Sequence, residues 1–146
     1  MADDTIFPFM DPQAMPEEET AEAKPLAREW AWDFNKLDFK TKDGKMYMEE
    51  GKEAVKIWIW KILMTPRYRY PIFNWDYGNE LDNLIGVSYS KEYVQSEAER
   101  MIREAIWPTL DGYVTDIQNL KVGTEKDILK ISFTAVTPYG EVGVNA

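Results

Sequence analysis

From Ser90 the apolar residues Val94, Ala98, Met101, Ile102, Ala105 and Ile106 fall three or four apart. From Ile128 the spacing changes: Leu129, Ile131, Phe133 and Ala135 alternate with Lys130, Ser132 and Thr134. The first spacing lines one side of a helix, and the second lines one face of a strand. A chain that switches period in this way is α+β, with helices laid on a sheet.

The remaining segments extend this pattern. In "GKEAVKIWIWKILM" (51–64), Val55, Trp58, Ile59, Ile62 and Leu63 share a helical face, opposite Lys52, Glu53, Lys56 and Lys61. Ile57 and Trp60 on its flanks predict cover on more than one side. The helix should end at Thr65, because a residue before proline avoids the helical region. Ser90 suits the N-cap of the second long helix, and Pro108 is expected to stop it. Upstream, Trp30, Trp32 and Phe34 alternate with Ala31 and Asp33, and Asp43-Gly44 suits a tight turn, so 29–49 reads as a β-hairpin. Downstream, "YVTDIQNLKV" shifts phase between Val114, Ile117 and Leu120, which predicts a bulged strand. "GTEKD" and "TPYG" read as turns, and "EVGVNA" as a short last strand.

The expected fold is therefore α+β: a small, mostly antiparallel sheet packed by two main helices, with an N-terminal β-hairpin. Ahead of it lies an acidic, proline-rich arm. Residues 1–25 hold seven acids, four prolines and one base, Lys24. Such a composition favours an extended or disordered segment. Ile6, Phe7, Phe9 and Met10 nonetheless suit an arm that orders against a partner. The division expected is an arm over 1–28 and a single domain over 29–146.

Composition narrows the chemistry. The chain has no cysteine and no histidine, which removes disulfides, thiolate ligands and nucleophiles, and the commonest general base. No calcium-loop spacing and no phosphate-cradling glycine loop occur. No catalytic residue, metal site or cofactor is expected. The net charge is −9, with 13 acids against 6 bases in residues 1–50, so a phosphate backbone should be repelled. Neither nucleic acid nor membrane is expected as a partner, and nothing at the N-terminus marks secretion.

One stretch resists this reading. "PRYRYPIFNWDYGNEL" (66–81) sets five aromatics and two arginines into its first twelve residues. As a strand, it would place Tyr68, Tyr70 and Ile72 on one face and Arg67 and Arg69 on the other. The rings suit a domain core, and they also suit a protein contact, where Tyr, Trp and Arg serve as anchors. Asp76, Glu80 and Asp82 beside the rings leave a glycosidase open, with paired carboxylates roughly 5–10 Å apart. "NWDYGNELDNLIG" reads as a turn and a short helix carrying Leu81, Leu84 and Ile85.

Taken together, Leu63, Thr65, Arg67, Tyr77, Gly78, Leu81, Leu84 and Ile85 resemble the signature of the baseplate wedge proteins of contractile phage tails. "SEAERMIREAI", "TAVTPYGE" and the start "EWAWDF…DGK…EG" fit the XkdS-type group found in PBSX-like prophages and R-type bacteriocins. The resemblance covers about residues 28–146. It implies a structural protein that joins wedge to tube and starts the sheath, with six copies around the tail. Its partners would be wedge proteins, sheath protein, and tube or tube-initiator proteins. It would be assembled in the bacterial cytoplasm and held in the baseplate of the mature particle. The rival readings are a lysozyme-like cell-wall glycosidase and a generic tail-assembly binding module. Many relatives carry Glu-Pro-Arg after the second helix to grip the wedge; here Asp111, Gly112 and Tyr113 stand in that place. The resemblance marks those three as wedge-facing, with Asp111 keeping the acidic role and the family's arginine absent; the strand alternation adds the Arg67 and Arg69 face as a partner surface. The last strand, Glu141, Val142, Gly143 and Val144, is the edge expected to meet the sheath.

Overall fold

The computed structural model describes residues 24–86 and 88–146. The expectations for residues 1–23 of the arm, including its apolar run at 6–10, lie outside the described residues; of its last residues, Ala27 is buried in the core and Arg28 opens the first strand. The architecture is α+β, as the change of period requires.

The N-terminal β unit is more folded back than a single hairpin. Arg28–Trp30 (β1) pairs antiparallel with Met48–Glu50 (β6), and Trp32–Asp33 (β2) pairs with Asp38–Phe39 (β3). Thr41–Lys42 (β4) pairs with Lys45–Met46 (β5) around Asp43-Gly44, both at positive φ. Ala31 joins the two halves: its N–H donates to the Tyr47 carbonyl at 2.9 Å and its carbonyl accepts from Lys40 at 2.9 Å. An extra turn arises at Asp33, whose carboxylate accepts the N–H groups of Asn35 and Lys36, the Asx geometry that competes with a straight strand. The alternating aromatics do not share one buried face. Ala31 is 1% exposed and Trp30 is 41% exposed, because small Ala27 and Ala31 let β1 lie close to the first helix. Trp32 and Phe34 pack instead on Trp60, at ring distances of 5.4 and 5.8 Å.

Helix α1 spans Lys52–Met64 and buries Ala54, Val55, Ile57, Ile59, Ile62 and Leu63. The burial of Ile57 confirms cover on more than one side. Thr65 is extended, as its position before Pro66 demands. Helix α2 spans Lys91–Leu110, and the Ser90 side chain accepts the Tyr93 N–H at 3.2 Å. Pro108 does not stop it. Proline lacks the N–H that would bond to the carbonyl of Glu104. That carbonyl accepts from the Arg67 guanidinium at 3.4 Å instead, so the helix runs on and buries Leu110.

The main sheet is β7 (Asp116–Glu125), β8 (Ile128–Thr137) and β9 (Gly140–Asn145), antiparallel in that order. The predicted bulge lies between Gln118 and Lys121, with Asn119 at φ 55°. The first turn is tighter than "GTEKD" suggests: Lys126 and Asp127 alone make it, both at positive φ. Ile131, Phe133 and Ala135 of β8 and Val142 and Val144 of β9 meet Val55, Ile59, Ile62, Ile102 and Ile106 in one core. Each full aliphatic burial there contributes roughly 1.5–3 kcal/mol.

Residues 66–79 are not a strand. They form a loop whose ends are bridged at Pro66 and Asn79. Tyr68, Tyr70 and Ile72 do not face inward: they are 58, 47 and 87% exposed. Tyr68 sits at φ 65°, which a continuous strand excludes. The rings brace one another instead, Tyr68 with Trp75 and Phe73 with Tyr77.

Candidate assembly surfaces

A three-stranded sheet has two outer edges, each a row of unpaired backbone groups unless something covers it. On β7 the middle of that row is occupied. Gln95 of α2 donates its amide to the Leu120 carbonyl at 2.8 Å, and its oxygen accepts the Val122 N–H at 3.0 Å. Arg103, from the same helix, donates to the Ile117 carbonyl at 3.1 Å. The two side chains stand in for a neighbouring strand.

On β9 the outer row is open among the described residues. Ile131 and Ala146 exchange both backbone bonds at 2.8 Å. This sets the phase of the ladder, so Val144 and Val142 also bond toward β8. Glu141, Gly143 and Asn145 therefore turn their N–H and C=O groups outward. The side chains of Val142 and Val144 are buried beneath this edge, while Glu141 and Gly143 are exposed.

A second surface lies at the end of α2. Asp111, Gly112 and Tyr113 turn the chain, with Gly112 at φ 82° and the Tyr113 N–H bonded to the Leu110 carbonyl. Tyr113 and Trp58 meet edge to face at 5.1 Å. They line a cavity of about 340 Å³ with Glu29, Lys61, Ile62, Tyr77, Thr109 and Leu110. Glu29 accepts from Lys61 at 2.7 Å, from the Trp58 indole at 3.0 Å and from the Trp30 N–H at 2.9 Å. Burial alone would raise its carboxyl, but the Lys61 hydrogen bond, with the Trp30 and Trp58 donors and the Lys61 charge, outweighs burial and holds it below the ordinary value. Burial, and then the charge of Glu29, pushes the Tyr77 phenol up.

Of the two arginines, Arg69 is exposed. Arg67 is sunk, its side chain 8% exposed, between Glu80 at 3.7 Å and Glu104 at 3.9 Å. The signature residues form the joint between α1 and the Leu81–Leu84 3₁₀ turn. Leu63, Leu81 and Leu84 are buried and Ile85 is 40% exposed. A Cβ on Gly78 would meet the Thr65 carbonyl at 2.5 Å, and φ there is +100°, so only glycine fits. Sequence reasoning passed over Asn79. It is 5% exposed, and its amide donates to the carbonyls of Ile62, Leu63 and Thr65 while its oxygen accepts the Leu81 N–H. Its only sequence signal is a short polar residue placed straight after Gly78.

The carboxylates give the glycosidase reading no support. Glu80 is engaged by Arg67, and every resolved carboxylate shift among the described residues, at Glu29, Asp33 and Asp116, is downward. A general acid needs a raised one. No helix among the described residues is long and apolar enough to cross a membrane.

The small α+β domain thus has one sheet edge partly covered by its own side chains and the other left open among the described residues. The chain belongs to the contractile injection system sheath initiator family, whose sequence model matches residues 28–140. It is similar to the phage-like element PBSX protein XkdS of Bacillus subtilis (strain 168), with 29% identity over 112 residues, 75% of this chain and 77% of that protein. Membership makes it a structural component of a contractile tail, working against sheath and tail components.

Proposed function

We propose that this protein seeds the sheath through the open edge of β9. A strand from the first sheath ring adds beside Glu141–Val144, bonding to the outward groups of Glu141, Gly143 and Asn145. The observation that carries this reading is the asymmetry of the sheet: Gln95 and Arg103 occupy the β7 edge at Ile117, Leu120 and Val122, while the β9 edge has no partner among the described residues. At the other surface, Asp111, Gly112 and Tyr113 meet the baseplate wedge. Arg69 supplies a further exposed cation for the wedge, and Arg67 fixes the base of its loop. The protein thereby links wedge to tube. Six copies around the tube present six edges together, and effective concentration makes modest contacts sufficient. Assembly takes place in the bacterial cytoplasm, and the protein stays in the baseplate of the finished particle.

The test is Gly143→Pro. Gly143 is exposed and directs its N–H away from β8, so proline removes no ladder bond within the domain but blocks an added strand. Deleting 141–146 would be less clean, since it also strips Val142 and Val144 from the core. The G143P protein is expected to fold, and its tails to show baseplate and tube without sheath under the electron microscope. Tails with normal sheaths would overturn the proposal.

A further inference from the structure

A second cavity, of about 270 Å³, lies where the end of β9 meets the end of α1. Ala146 lines it, beside the pair of bonds it exchanges with Ile131. The rim gathers Met64, Ile85 and Ile128, which are 56, 40 and 60% exposed. Three large apolar side chains around one opening mark a contact surface rather than scattered exposure. The volume falls below the roughly 300–1,000 Å³ of sites that enclose a whole small molecule, so it suits one inserted side chain.

Two further observations describe what enters. Asp82 and Asp127 also line the cavity, both exposed, and neither is in an ion pair among the described residues. No lysine or arginine lines it. The occupant that fits both features is an apolar side chain with a cation next to it. The cavity is also continuous with the open edge of β9. A strand added beside β9 shares its pleat, so its residues level with Val142, Val144 and Ala146 point to the core side, where the Val142 and Val144 side chains are buried. The level of Ala146 is where the cavity opens.

We infer that this cavity selects the sheath strand by its side chains: a bulky apolar residue of that strand, level with Ala146, enters it, and a neighbouring Lys or Arg meets Asp82 and Asp127. The inference rests on the reading that the sheath adds at β9, and it names what the added strand carries. Backbone bonds to Glu141, Gly143 and Asn145 accept any extended sequence, so a side-chain pocket supplies the selectivity. The two carboxylates also repel an acidic segment. Residues 1–23 of this chain, with seven acids and no base, are such a segment.

The test is a photoreactive diazirine amino acid in place of Met64, in tails assembled with the full chain. After irradiation, mass spectrometry is expected to find position 64 joined to an apolar residue of the sheath protein with Lys or Arg close beside it in sequence. The same probe in place of Glu141 reports the edge itself. A sheath link from 141 with none from 64 would overturn the inference and leave the edge reading standing. So would a link from 64 to a wedge or tube protein, or to a sheath segment without a base. No sheath link from either position would overturn both. Met64→Asp gives a second readout: its side chain is exposed, so the variant should melt with the wild type, and most of its tails are expected to lack sheath. Normal sheathing with M64D would overturn the inference.

Discussion

Gln95 and Val122 meet as residues of two paired strands would, although Gln95 belongs to a helix. The Gln95 oxygen accepts the Val122 N–H at 3.0 Å while its amide donates to Leu120 at 2.8 Å, so one side chain reproduces both halves of a ladder step. Gln95→Ala leaves a part-buried donor and acceptor unpaired. It should cost about 1–3 kcal/mol in urea denaturation and speed hydrogen exchange at the Val122 amide. An unchanged midpoint and exchange rate would mean that the edge of β7 is sealed by other means.

The α1 joint depends on two adjacent residues. Asn79→Ala strands the Leu63 carbonyl and the Leu81 N–H inside the fold, while the Ile62 carbonyl keeps the Thr65 N–H, with an expected loss of about 2–3 kcal/mol. Gly78→Ala drives a methyl into the Thr65 carbonyl and should destabilise by a similar amount, at least about 1–3 kcal/mol. Circular-dichroism melts of the two variants check both, and a neutral G78A would show that the joint relaxes freely.

Two isoleucines separate core from surface. Ile59 is fully buried and Ile72 is 87% exposed. Ile59→Ala should cost about 2–5 kcal/mol, whereas Ile72→Ala should stay within about 0.5 kcal/mol. Equal losses in chemical denaturation would restore the inward-facing strand that the alternation of 67–72 suggests.

Glu29 gives the protein a pH dependence of definite sign. Its carboxyl is lowered in the folded state, so the unfolded chain binds that proton more tightly. The contribution is complete above the ordinary value of 4.5 and is lost as pH falls from there through the lower folded value. Glu29→Gln should therefore reduce stability at neutral pH and flatten the acid limb of a stability-against-pH curve. A variant curve parallel to that of the wild type down to low pH would contradict this.

Local signals were legible in the sequence, and distant ones were not. The Ser90 cap, the α2 stripe and the alternation of β8 each depend on neighbours along the chain, and each appears where it was expected. Pro108 misled because the carbonyl it frees is taken by Arg67, 37 residues away. The alternation in "RYRYPIF" looks like a strand, yet the loop closes on its own rings and on Asn79. Gln95 resembled any exposed helical polar residue, since its partners are 25 and 27 positions distant. Of the candidate surfaces, the last strand was visible from its place after the "TPYG" turn. Asp111–Tyr113 was marked only by resemblance, and the aromatic cavity beside it emerges only when α1, α2 and β1 come together.

The central claim concerns what lies beside β9, and a cryo-electron microscopy map of the assembled baseplate measures it directly. The account predicts a sheath-protein strand about 4.8 Å from Glu141–Asn145, hydrogen-bonded to the outward groups of Glu141, Gly143 and Asn145. A map in which that edge faces solvent while the sheath contacts another surface would contradict it.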